Sequence, residues 1–212
     1  MSAKTPFGAA AFATLLALLA IVGSILASSG LPAGVFLQPY GLPAENFVRG
    51  INEHNAATLF FFASDTLFPL SYLLVFVGLY AATAERGGLY ARVALGAGVL
   101  TALLDVTENA LFISLALLAY NGVPAAEPPL LLVYALTTLK WTAAFATFYA
   151  FALVFPRGTW FEWLIAALML AFPLFGALSV AQPALIVWRG LFMLGGMILL
   201  GVYFVLRYRA AE

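Results

Sequence analysis

The chain has 212 residues, of which 65% are hydrophobic, 8% charged and none cysteine, and its mean hydropathy is +1.06. A soluble domain carries about 25% charged residues, so this chain belongs in a bilayer, and its expected fold is an all-α transmembrane bundle forming a single domain over residues 1–212. Nine Lys and Arg balance nine Asp and Glu, which leaves no basic face for nucleic acid. The lack of cysteine excludes disulfides, thiolate zinc sites and iron–sulfur clusters. With a single histidine, His54, multi-histidine zinc and haem sites go too. No cofactor is expected.

Six stretches are long and apolar enough to cross a membrane, at 7–28, 56–83, 89–120, 129–155, 160–180 and 184–207. The breakers "ERGG" at 85–88, "NGVPAAEPP" at 121–129, "PRG" at 156–158 and "AQP" at 181–183 separate them. These joints are short, so neighbouring spans are antiparallel hairpins. Only the 29–55 segment is long, and it reads as a loop. The first apolar run exceeds the ~7–15 residues of a signal-peptide core, which favours a retained helix. Small residues four apart, Ala9, Ala13 and Ala17 in the first span and Ala94, Gly98 and Ala102 in the third, predict close helix contacts.

With six spans, Lys4, Arg86, Arg92, Arg157, Arg207 and Arg209 fall at one membrane face. Arg49, with Glu45, Glu53 and Glu127, lies at the other. The positive-inside rule then places both termini in the cytoplasm and the 29–55 segment outside, in a multi-pass plasma-membrane protein. Tyr80, Tyr90, Trp160, Trp163, Tyr203 and Tyr208 read as the inner aromatic belt, and Tyr40 and Tyr120 as the outer edge.

Five charged residues lie deep within these spans, away from their ends on the cytoplasmic side: Asp65, Asp105, Glu108, Lys140 and Arg189. Each costs about 2.5–3.5 kcal/mol at a helix centre, so they must face one another or a wet cavity. At about 1.5 Å per residue from the outer helix ends, Glu108 and Lys140 share a depth on consecutive helices and are expected to pair. Asp105, Glu108 and Asn109 are spaced i, i+3, i+4 on one face, which Thr101 and Phe112 extend. Three acids against two bases leave one acid to be protonated or matched by a bound cation. Pro69 has no N–H to bond the carbonyl of Asp65, so an acid coincides with a freed backbone oxygen. In a helix starting by Glu53, His54, Thr58 and Asp65 form a stripe from an outer mouth inward. Pro173 frees the carbonyl of Met169 in the same way.

The expected site is therefore an outward-facing cavity in which Asp65, Asp105, Glu108, Asn109, Lys140 and Arg189 bind a proton, a small cation or a lipid-like molecule, with His54 at its mouth. Arg189 either joins it or snorkels to the surface. A transporter, an intramembrane enzyme using carboxylate acid–base chemistry on a lipid or isoprenoid, and a structural subunit of a membrane complex are the readings this leaves open. Ser64 and Ser71 lack a positioned base, which argues against a serine hydrolase. No inverted repeat is visible, so alternating access would call on a homodimer.

The pair Ser64-Asp65 opening the second span, the "TLFPLSYLLVFVGLY" that follows at 66–80, and the long loop before them resemble small bacterial six-helix membrane proteins of a domain-of-unknown-function type. The likeness covers mainly the first three spans. It implies a shared bundle and no particular activity. Alkaline ceramidases are also small helical bundles with membrane Ser and Asp, but they use a histidine triad for zinc that this chain, with His54 alone, lacks.

Overall fold

A computed structural model describes residues 4–28, 44–126 and 128–210, and among these it contains helices and turns but no strand. The helices are α1 (Thr5–Ser28), α2 (Ala44–Glu53), α3 (Asn55–Asp65), α4 (Leu67–Gly87), α5 (Leu89–Tyr120), α6 (Pro128–Val154), α7 (Trp160–Ala181) and α8 (Ile186–Ala210), with a 3-10 turn at Pro183–Leu185. Six spans are long and apolar enough to cross a membrane, with α3 and α4 together making the second. The protein is an all-α polytopic bundle. Each span packs on its neighbours in sequence, and α8 returns to α1, so the six close into a ring.

Small residues let the ring close tightly. A Cβ on Gly98 would lie 2.6 Å from the Phe76 ring, and one on Gly176 would lie 2.2 Å from Phe145. Both glycines are therefore sites where backbone and aromatic ring touch directly. The α5 row Ala94, Gly98, Ala102 is buried as its spacing predicts. On α1 the buried row is Ala10, Ala13 and Ala17, while Ala9 is exposed, so the expected register is one residue off at its start. Tyr90, Trp160, Trp163 and Tyr208 are exposed, as an interfacial belt requires. Tyr203 does not belong to that belt. It is a core residue, its ring 5.1 Å from Phe155. Tyr40 lies outside the described residues.

The segment read as a loop is in part a helix. Residues 29–43 lie outside the described residues, but α2 buries Phe47 and Ile51, one turn apart, against Phe62 of α3 and Phe112, Leu115 and Ala116 of α5. Its i, i+4 apolar pair between polar residues is the pattern of a short amphipathic helix. Asn52 anchors it. Its Oδ1 accepts from the Ala125 N–H at 2.8 Å, and its Nδ2 donates to the Ala125 carbonyl at 3.3 Å. That amide supplies both backbone partners that a joint without regular structure lacks.

The second span breaks at Thr66, between α3 and α4, with Pro69 in the first turn of α4. Thr66 and Ser71 hydroxyls donate back to the carbonyls of Phe62 (2.8 Å) and Leu67 (2.7 Å), a pattern that bends helices. The interruption falls next to Asp65, whose carbonyl loses its ladder donor to Pro69, while Thr66 itself keeps helical dihedrals of φ −59° and ψ −24°.

Candidate functional site

Four spans bring the polar side chains together. The α5 face predicted from spacing is buried throughout, at Thr101, Asp105, Glu108, Asn109 and Phe112. Opposite it, Lys140 of α6 lies 2.9 Å from Asp105 Oδ1 and also forms an ion pair with Glu108 Oε2. Thr137, one turn before Lys140 on the same face, donates its hydroxyl to Glu108. Tyr72 of α4 donates to Asp105 Oδ2 at 2.9 Å. The ammonium is thus shared by two carboxylates, each of which also accepts from a neutral hydroxyl.

Asp65 stands apart from this triad. Asn109 Nδ2 donates to its Oδ2 at 3.0 Å, and the Ser24 hydroxyl of α1 donates to its Oδ1 at 3.4 Å. Both donors are neutral. Among the described residues no cation lies within ion-pair distance of Asp65.

Arg189 does not snorkel out. It is 92% buried by its 8% exposure, and its guanidinium stacks 4.1 Å from the Trp141 ring centroid on the α6 wall. Lys140 lies 5.8 Å from the same ring. The Trp141 indole N–H has no acceptor among the described residues.

A cavity of about 200 Å³ occupies the middle of the ring. A single buried water requires ~10–15 Å³, so the space accommodates a larger guest. Asp65, Tyr72, Thr101, Asp105 and Lys140 line its polar end, and Phe76, Phe148, Phe172, Met193 and Met197 its apolar end. From Lys140 to Phe148 along α6 is roughly 12 Å, so the apolar part runs toward the end of the bundle that carries Arg86, Arg157 and Arg207. On the other side Phe62 stacks on Phe112 with ring centroids 4.1 Å apart, and Phe47 packs edge-on against Phe112 at 5.5 Å. That aromatic layer separates the carboxylates from the α2 end.

The outward-facing mouth expected from the sequence is not part of the described lining: toward α2, the segment read as a loop contributes Phe47 and Ile51 to an apolar cluster with Phe62 and Phe112. His54 is not among the cavity-lining residues; it occupies the joint between α2 and α3, where its carbonyl accepts from the Thr58 hydroxyl at 2.9 Å. The predicted helix starting by Glu53 is interrupted there. Glu108, Asn109 and Arg189 support the site from behind without lining the cavity.

The sequence reading passed over Tyr72, Thr137 and Ser24. Tyr72 lies seven residues after Asp65 and Thr137 three before Lys140, so both share a helical face with an ionisable residue they help to organise. Ser24 has no such signal, because only the packing of α1 brings it to α3. No group of three or more acidic or histidine side chains among the described residues is disposed to hold a metal ion.

Comparison with protein-family models, with curated proteins and with solved structures gave no match. The function is therefore argued from geometry.

Proposed function

We propose that this integral membrane protein binds, and carries across or within the bilayer, a positively charged species at Asp65, either a proton or a small cation. The observation that carries the reading is the division of labour among the acids. Lys140 is engaged by Asp105 and Glu108, whereas Asp65 faces the cavity and, among the described residues, is held by the neutral donors Asn109 and Ser24. Counting Arg189 with Lys140 still leaves one acid in excess. A carboxylate in so apolar a place is stable only when protonated or matched by a cation. The Asp105–Lys140–Glu108 triad then fixes the register of α5 against α6, and Asp65 is the exchangeable position.

The helix interruption at Thr66 favours the same residue. With Pro69 in place, the Asp65 carbonyl lacks its helical donor, so carbonyl and carboxylate oxygens are both offered at one level. The orientation belongs to this reading as well: both termini are cytoplasmic and the plasma membrane is the site of action, because the arginines gather at one end of the bundle.

Thermal unfolding in detergent tests the proposal, recorded from mildly acidic to mildly alkaline pH and against rising methylammonium chloride. Wild-type Tm responds to at least one of the two, by mass action on the folded state. Asp65→Asn, nearly isosteric and uncharged, keeps the fold and is flat to both. A mutant that responds as the wild type does contradicts the proposal.

A further inference from the structure

The cavity has a shape that a bare proton or inorganic cation would not need. Its polar end is lined by Asp65, Asp105 and Lys140 with Tyr72 and Thr101, so two acids face one base that Asp105 and Glu108 already hold. Beyond them the walls are aromatic rings and methionines, and no ionisable side chain lines that part. Phe76 and Phe148 meet edge to face at 5.6 Å, and Phe148 meets Phe172 at 5.1 Å, so the rings form a continuous wall. Met193 and Met197 lie across from them on α8, and their unbranched thioethers adapt to the outline of an apolar guest.

Beside the apolar end lies a separate narrow crevice of about 20 Å³ between α7 and α8, bounded by Met169, Phe192 and Gly196 and sharing Phe148, Phe172 and Met197 with the cavity wall. A Cβ on Gly196 would meet nothing within 4 Å, so this glycine leaves space rather than allowing a close helix contact. An acid without a cation partner, a hydroxyl-lined neck and a long aromatic pocket together define an amphiphile of one polarity.

Resting on the reading of Asp65 as a cation site, we infer that the ligand is an amphipathic organic ammonium ion. Its charged head sits between Asp65 and Tyr72 and its aromatic or aliphatic body lies along Phe76, Phe148 and Phe172. An anionic head is disfavoured, because it would meet Asp65 while Lys140 is held by Asp105 and Glu108. A neutral amphiphile would leave the Asp65 charge unmatched. Phe68 and Trp141 also line the cavity, and a ring near an ammonium adds cation–π attraction that neither alternative receives.

The experiment uses the full chain in lipid nanodiscs, with empty nanodiscs as the partition control. Four probes are titrated: phenylbutylamine, the neutral phenylbutanol, the anionic phenylbutyrate, and methylammonium, which has the head without the body. Phenylbutylamine should bind saturably and about tenfold or more tighter than the other three. Asp65→Asn should lose that advantage. Ala144, one turn beyond Lys140 on α6, also lines the cavity, so Ala144→Leu should weaken phenylbutylamine binding while the methylammonium response persists.

Methylammonium binding as tightly as phenylbutylamine, in an Asp65-dependent way, overturns the amphiphile while leaving the cation site standing. Phenylbutanol or phenylbutyrate binding as tightly as the amine overturns the ammonium ligand, and the pH and methylammonium responses of the wild-type Tm then decide whether the Asp65 site survives. Absence of saturable phenylbutylamine binding overturns the ligand class, and the methylammonium response of the wild-type Tm then decides whether the cation site survives.

Discussion

Asn109 on α5 donates its side-chain amide to Asp65 on α3 across 3.0 Å, so the acid at the helix break is held by a neutral group. A hydrogen bond to a buried carboxylate contributes more than one between neutral partners, about 1.5–3 kcal/mol. Asn109→Ala is therefore expected to lower stability by an amount in that range. It should also enlarge the stabilisation produced by methylammonium, because Asp65 then depends more on a cation. Thermal unfolding with and without the salt measures both. An Asn109→Ala protein as stable as wild type would mean that the amide does not hold the acid.

Lys140 stands between two carboxylates, and that changes how its loss can be repaired. Lys140→Met strands Asp105 and Glu108 together and should cost about 3–5 kcal/mol. Adding Glu108→Gln relieves only one of them. The triple variant with Asp105→Asn as well should recover most of the loss, since all three positions are then neutral. A double variant as stable as the triple would show that Asp105 does not share the ammonium.

Two glycines on neighbouring helices should respond oppositely to the same change. Gly176→Ala places a methyl group 2.2 Å from the Phe145 ring and is expected to cost about 1–3 kcal/mol through overpacking. Gly196→Ala meets nothing within 4 Å, and the better helix propensity of alanine should raise stability by about 0.5–1 kcal/mol. Paired unfolding curves in one detergent check the contrast. Equal effects would mean that α7 does not press on α6 at Phe145.

The orientation is open to single-cysteine labelling, which is clean in a chain without cysteine. Asn121 and Glu85 are exposed at opposite ends of the bundle. They are better positions than Gly88 or Gly122, whose φ of 48° and 83° would strain a cysteine. In intact cells Asn121→Cys should react with an impermeant maleimide and Glu85→Cys should not. The reverse pattern would invert the topology.

How far the sequence carried this far depends on whether a feature is written within one helix or between helices. The six spans and the buried face of α5 are set by local composition and by the helical period, and both were legible. Glu108 and Lys140 could be matched because two antiparallel helices joined by a short turn fix each other's depth. The share that Asp105 takes in Lys140 depends on how far α5 and α6 are rotated toward each other, which spacing does not specify. Ser24 reaches Asp65 only because the ring closes α1 onto α3. The direction in which the cavity extends turned on α2, whose Phe47 and Ile51 are too short a pattern to stand out among glycines and prolines. The register slip from Ala10 to Ala9 arose because both residues begin a row of small side chains, and only packing distinguishes them.

The central claim is that the cavity at Asp65 holds an organic ammonium guest. Native mass spectrometry of the full chain, released gently from its own membranes, tests it most directly. The account predicts a wild-type spectrum with an added small molecule that dissociates as a cation, and an Asp65→Asn spectrum at the mass of the bare chain. The same adduct on both proteins, or the bare chain in both, would contradict it.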